Sequence, residues 1–166
     1  GIAYYDRDII LKTAVASGKL DPEQGRRWDE RVPSSFGFAQ SLFDFYNKPL
    51  DEEIWNAQME AIRDLANQES CVIVGRCADY ILRDRADCLT AFIHADPAFR
   101  AKRIVEVYGE REAAPEQRIR EKDKRRAAYH RFYTDMKWGH AKNYHICLNS
   151  GVLGIDTCAE ILCRLF

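Results

Sequence analysis

The chain has 166 residues, 46% of them apolar, with 25 Lys and Arg against 26 Asp and Glu and a formal net charge of -1. That length suits one domain with a substantial core, and the near-neutral balance excludes a global pull toward nucleic acid, so any anion site must be local. No apolar run approaches the ~18 residues that span a bilayer, and Tyr4, Asp6, Arg7 and Asp8 break up any leader-like start.

Six cysteines stand at positions 71, 77, 88, 147, 158 and 163, and none forms a C-x-x-C pair. Reduced, buried thiols in a cytoplasmic protein are the expected state, and no metal-ligand set is expected among them.

Taken in order, Ala3 to Tyr5 is apolar enough to end a strand. Asp6 suits an N-cap, Ile10, Leu11, Ala14 and Val15 recur at helical spacing, and Gly18 suits the C′ position. Asp21-Pro22 predicts another short helix, an N-cap followed by Pro at N1. From Arg31 to Leu50 the pattern is irregular: Pro33-Ser34-Ser35 signals a turn, and Phe36, Phe38, Phe43, Phe45 and Tyr46 follow no clear period. Those aromatics read either as a loop-rich cover packing on the domain or on a second subunit, or as a flap over a planar substrate. Asp51 to Gln68 predicts an amphipathic helix with Ile54, Trp55, Met59, Ile62, Leu65 and Ala66 on its core face.

Cys71 to Val74 is a short apolar run without polar alternation, which predicts a parallel strand buried on both faces. Gly75 breaks it, and Arg76 puts a permanent cation at the strand's carboxyl end, where open α/β sheets bind ligands. A guanidinium there suits a phosphate. The alternative is an ion pair with Asp79 or Asp84. Leu89 to Ile93 predicts the next strand, Asp96-Pro97 caps a helix to Tyr108, and Gly109 stops it. Pro115 opens a long helix through about Tyr133. His145 to Leu148 predicts a last strand, 149–154 a turn, and Ile155 to Leu165 a closing helix. Strands alternating with helices imply a mostly parallel sheet in an α/β domain.

Cations gather from 118 to 131, where helical spacing puts Ile119, Asp123 and Arg126 on one face. A solvated helix laced with i,i+4 pairs is one reading; the excess of cations over acids argues for an anionic ligand. Arg100 and Arg103 sit one turn apart on the preceding helix. Arginines at 76, 100, 103 and 126 together suit phosphoryl transfer, which needs charge neutralised and groups aligned more than covalent help.

Four segments in order carry a family resemblance: Val-Gly-Arg-Cys-Ala-Asp-Tyr-Ile-Leu-Arg-Asp, Ala-Asp-Pro-Ala-Phe-Arg-Ala-Lys-Arg-Ile, Lys-Asp-Lys-Arg-Arg-Ala-Ala-Tyr and Asn-Tyr-His-Ile-Cys-Leu-Asn-Ser. As a set they resemble the cytidylate kinase-like family of the P-loop nucleoside monophosphate kinases. The resemblance implies a three-layer parallel sheet flanked by helices, a single domain over 1–166, an acceptor-side insert over 20–50 and a helical lid over 110–134. It also implies ATP and Mg²⁺ as cofactors and nucleotide substrates as partners, with neither nucleic acid nor membrane. Arg76 matches the arginine that holds the acceptor's phosphate, and Asp6 an acid near the acceptor site. Asp123 and Arg126 match the lid's Asp-x-x-Arg, which contacts nucleotide and phosphates. Arg100 and Arg103 match arginines on the ATP side, and Asn149, Ser150 and Gly151 fall where these kinases wrap the adenine. A homo-oligomer would be sought at the aromatic stretch 36–46.

Three departures accompany the resemblance. Cys77 stands where the cytidylate kinases carry Asp after Gly-Arg, and Ile119 where they carry another lid arginine, for which Arg118 or Lys122 could substitute. No G-x-x-x-x-G-K-[ST] occurs in the chain. In the family that loop precedes the Tyr4-Tyr5-Asp6 strand, so the expectation is that about 25–30 residues, one strand–loop–helix unit, belong before Gly1. Its strand would lie between the Cys71 and Leu89 strands. The leading reading is a kinase acting on a nucleoside monophosphate, with a CMP-like acceptor. The alternative is a non-catalytic nucleotide-binding or regulatory module.

Overall fold

A computed structural model describes residues 1–21, 23 and 40–166, with only the backbone described for 40–51. The chain divides into two compact units, Gly1–Arg85 and Ala86–Phe166. The helix expected from Asp21-Pro22 and the aromatics at 36 and 38 lie outside the described residues.

The first unit runs β1 (Ala3–Tyr5), α1 (Arg7–Ala16), α2 (Gln40–Gln68), β2 (Cys71–Ile73) and α3 (Ala78–Ile81). β1 and β2 pair in parallel, Ala3 opposite Cys71 and Tyr5 opposite Ile73, and the Val74 N–H donates to the Tyr5 carbonyl at 2.9 Å. Asp6 caps α1 as its residue type suggests, and Gly18 takes a left-handed φ of 72° just past its end. The helix buries Ile10 and Ala14 and packs on α2, which contributes Ala61, Ile62 and Leu65 to the same core. Lys19 ties the two helices from outside, its ammonium 2.9 Å from both Glu60 and Asp64 one turn apart. These carboxylates push the Lys19 pKa up.

Two sequence expectations change here. The irregular stretch through Leu50 is helical from Gln40, with Pro49 carried inside α2. A helix-breaking residue amid aromatics of no clear period hid it. The β2 strand is covered on one face only: Val72 and, just past the strand, Val74 are 48% and 50% exposed, and Tyr4, the partner of Val72, is 53% exposed. Among the described residues α2 packs against β2, and an apolar run reports hydrophobicity without reporting how many layers cover it.

The second unit runs β3 (Ala91–His94), α4 (Pro97–Tyr108), α5 (Pro115–Thr134), a single 3₁₀ turn (Ala141–Asn143), β4 (Ile146–Asn149), α6 (Ser150–Leu153) and α7 (Ile155–Leu165). β3 and β4 are again parallel, Ala91 opposite Ile146 and His94 opposite Asn149. β3 starts two residues, and β4 one residue, later than the apolar pattern predicts. Thr90 and His145 exchange side-chain bonds before the ladder: the Thr90 N–H donates to His145 Nδ1 and the His145 N–H to Thr90 Oγ1, both at 3.1 Å. Asp96 caps α4, Pro97 occupies its first turn, and Gly109 ends it at φ 74°. The stretch expected as a turn after β4 contains the short α6, capped by Asn149. Among the described residues no helix is long and apolar enough to cross a membrane.

Candidate functional site

In the first unit, parallel pairing brings Asp6 and the Gly75–Cys77 segment past the carboxyl ends of neighbouring strands. The Asp6 carboxylate is committed to the helix cap, Oδ1 accepting the N–H groups of Asp8 and Ile9 at 3.0 Å. Gly75, Arg76 and Cys77 form a left-handed turn with φ of 77°, 54° and 56°. Glycine adopts this at little cost, whereas each of the two following residues stores about 1–2 kcal/mol. Strain of this kind persists where the surroundings over-determine it, and it concentrates at functional sites. The turn is closed by the Ala78 N–H donating to the Gly75 carbonyl at 3.0 Å and the Ile81 N–H donating to the Cys77 carbonyl at 2.9 Å. Arg76 is buried, at 9% exposure. The Cys77 thiol is buried too, and burial, then the charge of Asp79, pushes its pKa up to about 12 against the pull of Arg76.

In the second unit, Asp123 on α5 receives a two-pronged hydrogen bond from Arg100 on α4, Nη1 to Oδ2 at 2.6 Å and Nη2 to Oδ1 at 2.9 Å. Arg126, one turn on, places Nη1 3.6 Å from Oδ1 of the same carboxylate. One negative charge is thus shared by two guanidinium groups, leaving the cluster a net positive charge. The bond to Asp123 pushes the Arg100 pKa up, while burial works against it. With about a third of each side chain exposed, screening keeps the pair's stabilisation near ~1 kcal/mol, and its fork geometry matters more than its energy. Arg103 is exposed and has no ion pair or hydrogen bond among the described residues. Ile119 is buried in the α5 face, so the position where the family carries an arginine serves packing here.

At the carboxyl end of β4, the Asn149 Oδ1 accepts the Gly151 N–H at 3.1 Å, and Ser150 Oγ donates to the His94 carbonyl at 3.2 Å. Gly151 sits tight against Ala95 and Phe99: a Cβ there would lie 3.2 Å from the Ala95 Cβ and 3.5 Å from the Phe99 ring.

The sequence-predicted residues therefore group by unit. Asp6 and Arg76 share one strand edge in the first; Arg100, Asp123 and Arg126 form one cluster in the second; Asn149, Ser150 and Gly151 form a separate turn there. Arg103 joins no cluster. The pattern missed Gln58, which is wholly buried on α2 and donates from Nε2 to the Arg76 carbonyl at 3.0 Å. Its signal was present: one helical turn after Ile54 and one before Ile62, it is a polar residue standing in the apolar stripe.

Parallel strand pairs alternating with helices define a mixed α/β protein. Residues 1–152 match the cytidylate kinase-like family, and the chain belongs to that family. It is also similar to a protein of Eubacterium ventriosum, solved by crystallography and described as uncharacterized. The two are 30% identical, with a TM-score of 0.71, and the match covers 99% of this chain and 83% of that one. No curated protein matches the chain. Membership supports a kinase-like function.

Proposed function

We propose that the protein is a small-molecule kinase that moves the γ-phosphoryl group of ATP to a nucleoside monophosphate, with a CMP-like acceptor. The observation that supports this reading is the strained turn just past the carboxyl end of β2, with buried Arg76 in it, the kind of edge at which open α/β sheets bind ligands. Phosphoryl transfer is catalysed chiefly by positioning and by stabilising charge spread over the transferring oxygens. Arg76 holds the acceptor's phosphate in this scheme, with Asp6 nearby at the same edge. Asp123 contacts the acceptor nucleotide and Arg126 stabilises the transferring charge, while Arg100 and Arg103 serve the ATP side. Asn149, Ser150 and Gly151 form the turn assigned to the adenine, and the Asn149 amide keeps its donor nitrogen for a base edge. The P-loop kinase architecture and a moving 110–134 lid belong to the same proposal.

The residues at hand fit a polyphosphate ligand, because the Arg100–Asp123–Arg126 cluster carries surplus positive charge. Among the described residues no group of three His, Cys, Asp or Glu side chains could hold a metal ion; Mg²⁺ would be held chiefly by phosphate oxygens and water. When bound with ATP it would neutralise phosphate charge.

A coupled ADP-release assay on the full-length native protein, with Mg-ATP and a panel of nucleoside monophosphates, tests the proposal. Turnover on the order of 1–100 s⁻¹, confined to one or two monophosphates, is the expected result. Binding of ATP without turnover of any monophosphate would overturn the acceptor assignment. The regulatory-module reading draws on a specific observation, the bidentate engagement of Asp123 by Arg100 with Ile119 buried beside it. Nucleotide binding with no phosphoryl transfer to any small molecule would favour it.

A further inference from the structure

Gln58 has no measurable exposure, and its neighbours along α2 at Ala57, Ala61, Ile62 and Leu65 are buried as well. A primary amide brings two donors and an acceptor into that layer, where a methionine would fill similar space with nothing to satisfy. Its Nε2 donates to the main-chain oxygen of Arg76 at 3.0 Å. That oxygen belongs to the first of two consecutive side-chain-bearing residues with positive φ. The backbone bonds that close this turn engage the carbonyls of Gly75 and Cys77; the amide of Gln58 grips the residue between them. Asparagine would be one methylene short of the oxygen, and an ionised glutamate would offer it no donor.

We infer that Gln58 is a positioning residue for Arg76: its buried carboxamide holds the left-handed turn over 75–77 that carries the Arg76 side chain. The catalytic consequence rests on the kinase reading above; the effect on the turn does not. Held this way, Arg76 meets its ligand without first ordering its own backbone, which is how preorganised sites avoid reorganisation during reaction.

The test uses Gln58→Met in the full-length native protein, with two readouts. Amide hydrogen exchange followed by mass spectrometry is expected to quicken at least ~10-fold over residues 75–82 while α1 exchanges as in the wild type. Unchanged exchange over 75–82 would overturn the positioning role whether or not the protein turns over any monophosphate. In steady-state kinetics, kcat/KM for the acceptor is expected to fall about 10-fold with KM for ATP within about twofold of wild type. A KM for ATP raised as much as the KM for the acceptor, with kcat unchanged, would reduce Gln58 to a packing residue. Absence of turnover in the wild type would defeat the kinase reading and leave the exchange result to stand by itself. If Gln58→Met also loosens α1, the double variant with Cys77→Gly decides, because glycine takes positive φ without strain. Recovery of at least about half of the lost protection over 78–82 is expected, and purely additive behaviour would overturn the inference.

Discussion

Arg76→Ala is expected to lower kcat/KM for the acceptor at least ~100-fold, the scale of losing one preorganised electrostatic partner at a reacting phosphate. The substitution leaves the backbone of the turn largely as it is. Alanine at φ 54° bears much the same backbone strain as arginine does, so the turn's own energetics change little. The carbonyl held by Gln58 is also retained. Arg76→Lys keeps the charge but loses the planar fork, and should fall between the two because a point charge cannot meet two phosphate oxygens in register. Steady-state kinetics across a range of acceptor concentrations, with a melting curve for each variant, makes the measurement. A loss under about threefold would overturn the phosphate-binding role, since an electrostatic partner of the transition state cannot be removed so cheaply, and a lowered Tm beside it would make Arg76 a structural residue.

Gly139→Ala carries the largest expected effect on stability, about 2–4 kcal/mol, from two costs of separate origin. Gly139 sits at φ 70°, where a side chain is strained whatever space surrounds it. Space is also lacking: a Cβ would stand 2.8 Å from Cζ and 3.1 Å from Cε1 of Phe92. The Phe92 ring cannot simply swing aside, because it meets Trp138 edge-on at 5.3 Å and Tyr144 at 5.0 Å between centroids. The Gly139 N–H donates to the Tyr144 hydroxyl at 3.3 Å, so the glycine belongs to the same aromatic assembly. For a chain of this size, such a loss lowers Tm by roughly 5–15 °C. Thermal denaturation followed by circular dichroism reads it directly. A Tm unchanged within about 2 °C would mean that the ring relaxes without loss of packing.

Local chemistry was the legible part of the sequence. Asp6, Asp96 with Pro97, Gly18 and Gly109 mark helix ends through interactions within a few residues, and each stands where the structure ends or begins a helix. The strands were legible as apolar runs, but their coverage was not, because Val72 and Val74 look the same in sequence whether one layer or two lies against them. Side-chain pairings across long separations were equally hidden. Arg100 and Asp123 are 23 positions apart, and helical spacing suggested only the Asp123–Arg126 neighbourhood. By resemblance Ile119 stands where an arginine is expected, whereas its burial shows that the position serves packing in this chain. Gln58 was legible as an anomaly in a stripe, but its meaning depends on a turn 18 residues away.

The high pKa of the Cys77 thiol bears on how this protein can be approached with chemical probes. A thiol adjoining the candidate phosphate-binding arginine would be an attractive handle for a covalent inhibitor. With burial pushing its pKa up to about 12, the Cys77 side chain is overwhelmingly thiol at pH 8, and it is the thiolate that reacts. Burial closes the approach as well. An electrophile such as iodoacetamide is therefore expected to modify exposed Cys163 on α7 first and to leave Cys77 intact in the native protein, as peptide mapping after brief labelling would reveal. Early capture at Cys77 would mean that the turn opens far more often than its hydrogen bonds suggest. Ligands for this edge of the protein have to be designed around the guanidinium, not the sulfur.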